Sequence, residues 1–163
     1  MIDKPVSELN LREAAKLGEY ERVKELLDSG VSPDEGTPKG ETPLHEASKK
    51  GFPKVVKLLL KRGANVNGVD VKGGSALHEA AKKGFEDIVS LLVGAGADIR
   101  AVNVKGESPR TEASKSGNAN VIEMVRTGKP LKKTKQTKKA AGVQIKPAKL
   151  GKKGKQGKKM RKI

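Results

Sequence analysis

The chain has no cysteine and no tryptophan. Without cysteine there is no disulfide framework, no thiolate metal site and no cysteine nucleophile. Aromatic residues are 2% of the 163 positions: Tyr20, Phe52 and Phe85. So few rings argue against an aromatic-lined cofactor pocket. They argue equally against reading bases by stacking, which draws on several aromatic faces. Long apolar runs are missing too. Val55 to Leu60 and Ile88 to Val93 are each broken by one polar residue, well short of the ~20 residues of a membrane-spanning helix. The opening Met-Ile-Asp-Lys-Pro-Val-Ser-Glu lacks the basic flank and apolar core of a secretory signal. The expectation is a soluble, intracellular protein.

Acidic residues are the last scarcity, and it is a local one. The chain carries 35 Lys and Arg against 19 Asp and Glu, a formal charge of +16. Residues 129–163 hold 14 Lys and Arg161 with no acid at all, which is +15. Residues 1–128 hold the other 20 basic residues and all 19 acidic ones, which is +1. The expected organisation is a near-neutral body followed by a cationic tail from about Lys129. The excess charge predicts a polyanionic partner.

The body matches itself at a shift of 33 residues. Gly40-Glu-Thr-Pro-Leu-His-Glu-Ala-Ser-Lys-Lys-Gly-Phe52 aligns with Gly73-Gly-Ser-Ala-Leu-His-Glu-Ala-Ala-Lys-Lys-Gly-Phe85. Gly106-Glu-Ser-Pro-Arg-Thr-Glu-Ala-Ser-Lys-Ser-Gly117 follows in register, and Leu11-Arg-Glu-Ala-Ala-Lys-Leu-Gly18 precedes. A fixed period of this size is the mark of a stacked-repeat architecture. Thr42-Pro43-Leu44-His45 matches in full the Thr-Pro-Leu-His motif of the 33-residue ankyrin repeat, and Ser75-Ala76-Leu77-His78 matches in part. Residues 5–128 thus resemble the ankyrin family.

Local chemistry predicts the same unit. Thr42 is a good N-cap, and Pro43 suits the first helical position, where a missing N–H costs nothing. A helix over 43–50 puts Leu44, Ala47 and Ser48 on one face, and Gly51 ends it in the left-handed conformation. A second helix over 54–62 carries Val55, Val56, Leu58, Leu59 and Leu60. Val66 to Gly73 reads as a hairpin-like turn. One helix pair cannot bury its apolar face alone, so the columns Val23/Val56/Val89 and Leu26/Leu59/Leu92 should touch between neighbours. The expected fold is all-α, a solenoid of helix-turn-helix units. A capping unit spans 5–39, repeats span 40–72 and 73–105, and a second cap spans 106–128. A disordered or extended tail occupies 129–163. The caps are expected because Leu9-Asn-Leu-Arg12 replaces the motif at one end and Arg110 replaces a leucine at the other.

No constellation supports an enzyme. His45 and His78 lie one repeat apart, and the resemblance implies that each ties its helix to neighbouring backbone and to the preceding hydroxyl. A metal needs more convergent ligands. Gly73-Gly74-Ser75 and Gly94-Ala-Gly-Ala97 lack the strand and the Gly-Lys-Ser/Thr of a phosphate loop. Glu46, Glu79 and Glu112 form a column with no adjacent nucleophile. No cofactor is expected.

What remains is surface. The resemblance implies a concave binding face of hairpin tips and first helices. Here it holds Lys39, Glu41, Lys49, Lys50, Val69, Val71, Lys72, Lys82, Lys83, Val102, Val104, Lys105, Glu107 and Lys115. Eight of these 14 are lysine, so a basic stripe with apolar points is expected, facing an acidic protein surface or a ribonucleoprotein. In the tail, Lys132, Lys133, Lys135, Lys138, Lys139, Lys146, Lys149, Lys152, Lys153, Lys155, Lys158, Lys159, Arg161 and Lys162 are candidate nucleic-acid contacts. Lysine as a point charge neutralises phosphate without reading sequence. The composition resembles tails of ribosomal proteins and linker histones.

The leading expectation is an adaptor that docks a partner on its body and grips RNA, rather than DNA, through its tail. It is expected in the nucleus or nucleolus, with the cytoplasm as the other place, and as a monomer outside its complex. Membrane binding is not expected, because the tail lacks apolar anchors and a lipidation motif. Two alternatives stand beside it. One is a nuclear, chromatin-associated scaffold whose tail is a localisation signal or DNA-binding arm. The other is a pathogen or viral effector.

Overall fold

The computed structural model describes residues 5–131. Its elements form four antiparallel helix pairs after a 3-10 turn at Val6–Glu8. They are α1 (Leu11–Leu17) with α2 (Tyr20–Asp28), and α3 (Pro43–Lys50) with α4 (Pro53–Lys61). Then come α5 (Ala76–Lys83) with α6 (Glu86–Gly94), and α7 (Pro109–Ser116) with α8 (Ala119–Thr127). First helices stack in the order α1, α3, α5, α7, and second helices in the order α2, α4, α6, α8. No strand occurs among the described residues; the turns between pairs carry one isolated bridge, Val69 to Ser75.

The first helices begin where hydroxyl caps stand. Thr42, Ser75 and Ser108 each accept from the backbone N–H three residues on. Pro43 and Pro109 fill the first helical position, where no N–H is needed. The α4 helix starts at Pro53 rather than 54 for the same reason. In the first unit the cap is Asn10, one place later than the repeat register, with Glu13 completing a reciprocal pair. Leu9, the register equivalent of Thr42, has no side-chain oxygen to cap with and is buried instead.

Between repeats the core is continuous. Val23, Val56 and Val89 are each fully buried. Leu59 and Leu92 are as well, while Leu26 at the end of the stack is only partly covered. The rings of Phe52 and Phe85 each lie over the glycine that ends the preceding first helix. A Cβ on Gly18 would stand 2.6 Å from the Phe52 ring, and one on Gly51 3.0 Å from Phe85. Glycine is favoured at both, since φ is positive, at 76° and 87°, and at Gly18 a Cβ would also overlap the ring.

The last helix pair turns polar at two columns that are apolar in the repeats before it. Arg110, in the column of buried Leu44 and Leu77, is exposed. Asn118, in the column of Phe52 and Phe85, bonds the Gly84 carbonyl at 3.2 Å and Glu86 at 3.0 Å. No further repeat covers this surface among the described residues, and an uncovered surface favours polar residues.

Candidate functional site

Each connecting turn is locked by one side chain. Thr37 Oγ1, Asp70 Oδ1 and Asn103 Oδ1 occupy one column. Each accepts from the backbone N–H groups two and four residues ahead. The turns also bond each other. Val71 N–H donates to the Lys39 carbonyl at 2.9 Å, and Val104 N–H to the Lys72 carbonyl at 2.8 Å. Pro38 holds the equivalent place in the first turn and has no N–H to donate.

The histidines fasten first helix to turn. His45 Nε2 meets the Gly74 carbonyl at 3.0 Å, and His78 Nε2 meets the Glu107 carbonyl at 3.0 Å. A carbonyl only accepts, so Nε2 carries the proton. Each Nδ1 then accepts from the N–H and hydroxyl of its cap, Thr42 or Ser75. Both rings are thereby fully committed. Thr111 takes this place in the last pair, where no further turn follows among the described residues; its N–H bonds Ser108 Oγ.

These bonds present one side of the body as a row of tips above the first helices. Val69, Val71, Val102 and Val104 are 51%, 65%, 60% and 72% exposed at the tips. Lys39, Lys72 and Lys105 stand beside them, and Lys49, Lys50, Lys82 and Lys83 end the first helices; all are exposed and without ion pairs among the described residues. The helix-end lysines also face the negative end of the helix dipole, which gives them a structural reason as well. Lys115 differs: it donates to Glu107 and, at 2.9 Å, to Glu112. Its ammonium, helped by the Asn103 amide, draws Glu107 down to about 2. Glu41 and Glu107 are half-buried.

Acids run through the middle of this lysine-rich side. A cleft of about 240 Å³ is lined by Lys39, Lys49 and Lys72, but also by Glu41, Glu46, Asp70 and Glu79. Glu46 is buried and bound by Arg12 Nη1 at 3.0 Å, which ties the first unit to the next. Glu79 is half-buried with no partner among the described residues. The 33-residue column of glutamates was the signal for this, but it reads as a lining only once the helices are stacked. The tail positions between Lys132 and Lys162 lie outside the described residues.

A family model described as ankyrin repeats, in three copies, matches residues 11–103. The chain belongs to the ankyrin-repeat family. A comparison with curated proteins finds no matching relative. Ankyrin repeats are protein–protein interaction modules, typically without enzymatic activity, and this body is such a module. The α7–α8 pair lies beyond the matched segment yet repeats its cap, its turn and its packing on α5. No helix among the described residues is long and apolar enough to cross a membrane.

Proposed function

We propose that this ankyrin-repeat protein is a non-enzymatic adaptor, docking an acidic, partly apolar protein segment along its turn tips and first helices. The observation that carries the reading is the row of four exposed valines flanked by Lys39, Lys72 and Lys105. Apolar side chains of the partner cover the valines, and its carboxylates meet the unpaired lysines at Lys39, Lys49, Lys72 and Lys82. Glu79 accepts one cationic group in the middle. Charge sets the encounter rate and register, and the covered valines supply affinity.

The tail is the second half of the proposal. Its 15 positive charges without one acid suit the phosphates of RNA, held with a steep salt dependence. Two linked contacts raise each other's effective concentration. The test is co-sedimentation with ribonucleoprotein after residues 132–163 are replaced by an unrelated nuclear signal. Loss of co-sedimentation supports the RNA anchor; full retention returns the tail to the role of an address.

A further inference from the structure

The outward positions of the second helices break their own repeat at one place. In register they read Glu21, Lys54, Asp87, Asn120; then Lys24, Lys57, Ser90, Glu123; then Asp28, Lys61, Gly94, Thr127. Only α4 has lysine at all three. Lys24 on α2 is held by Asp28 at 3.1 Å. Lys54, Lys57 and Lys61 are exposed and form no ion pair among the described residues. Spacings of three and four residues align them along about 10 Å of one helix face.

An aromatic ring stands next to them. Tyr20, at the start of α2, is 37% exposed, whereas Phe52 and Phe85 are packed against the core. With Glu21, Leu58 and the three lysines it lines a depression of about 620 Å³. The chain also departs from this side. Leu131 N–H donates to Ser90 Oγ on α6 at 3.1 Å, and Pro130 passes over Gly94. The α6 helix packs beside α4, and the sequence that continues from Leu131 is the lysine-rich one.

We propose that Tyr20, Lys54, Lys57 and Lys61 form a binding site for single-stranded nucleic acid on the folded body, on the side away from the turn tips. The lysines neutralise successive phosphates, and the Tyr20 ring stacks on one base. A single ring holds any base, so the site is tolerant of sequence. Glu21 bounds it by repelling phosphate. The site shares its class of partner with the tail reading but none of its residues, so the two fail separately.

The test uses the full-length chain and fluorescence anisotropy with labelled oligouridine, with oligothymidine of equal length as the DNA arm. Lys54→Glu/Lys57→Glu/Lys61→Glu lowers affinity at least about tenfold and flattens the log K against log salt slope by about 2, as three lost phosphate contacts require. Tyr20→Ala weakens binding about fivefold or more with the slope unchanged. Glu21→Gln tightens it. Circular dichroism of the lysine and Glu21 variants matches that of the parent protein, because those side chains are exposed; Tyr20→Phe, which keeps the ring and its packing, binds as the parent does. Glutamine at the tail lysines, tested in parallel, separates the two readings. Complete loss there, with the α4 variant binding as the parent does, overturns this site and leaves the tail reading standing. Poly-glutamate competing as well as RNA also overturns it, because carboxylates alone would then account for the binding.

Discussion

His78 shows how much of the stack rests on single side chains. Its Nε2–H reaches across to the Glu107 carbonyl while its Nδ1 closes the cap of its own helix. Truncation to alanine leaves a half-buried carbonyl and a buried cap N–H unpaired. His78→Ala therefore costs about 2 kcal/mol of stability, read from urea unfolding; an unchanged midpoint contradicts the assignment. Ser48 shows the opposite case. Its hydroxyl is fully buried and has no hydrogen-bond partner among the described residues. Ala15 and Ala81 occupy the same column in the neighbouring repeats. Ser48→Ala is expected to stabilise by about 1 kcal/mol, by removing an unsatisfied group and adding helix propensity. A lowered melting temperature would falsify that reading. The histidines' role follows from the motif in the sequence. Ser48's missing partner does not, because a partner is a matter of what the next repeat brings near.

At the scale of the element, the turns decide whether the helix pairs stack. Gly73 has φ 76°, and a Cβ there would stand 3.0 Å from the Asn103 backbone; at Gly106, φ is also 76° but the space is open. Gly73→Ala is expected to destabilise more than Gly106→Ala. The first adds a collision between turns to the strain of positive φ, and the second adds strain alone. Equal melting temperatures for the two variants would contradict the turn-to-turn contact. The last turn is pinned electrostatically as well. Glu107 is drawn down to about 2 chiefly by Lys115, below the 4.5 of an unperturbed glutamate. A depressed carboxyl stabilises the fold above the unfolded value, and that contribution fades as pH falls from about 4.5 toward 2. Lys115→Met should return the Glu107 titration toward the ordinary range in a carbon-detected NMR titration. A parent protein in which Glu107 already titrates near 4.5 would rule the pairing out. Helix α3 was legible in advance because cap, proline, apolar face and terminal glycine all agree over Thr42 to Gly51. The start of α1 was not, since its cap moved by one residue to the only side chain able to serve, Asn10. The Arg12–Glu46 bridge and the seat of Leu131 on Ser90 join residues 34 and 41 apart. No period or motif carries such pairs; they exist only once the units are stacked.

At the scale of the whole chain, the near-neutral body carries its unpaired lysines on two separate sides. The lysine-rich side above the first helices is not uniformly basic, because Glu46 and Glu79 line its centre. That mixture, with valines at the tips, suits a defined protein segment better than any polyanion. The lysines of α4 lie on the second helices instead, beside the one aromatic ring left exposed among the described residues. A protein partner on one side and a nucleic acid on the other is the arrangement an adaptor requires. The most direct test of this division is a quantitative co-purification of full-length protein with and without nuclease, comparing Val71→Asp/Val104→Asp with the parent. Both valines are exposed, so the variant keeps its fold. The division predicts that the variant loses its nuclease-resistant protein partner at least about tenfold while recovering the same amount of RNA. An unchanged set of nuclease-resistant proteins would contradict it.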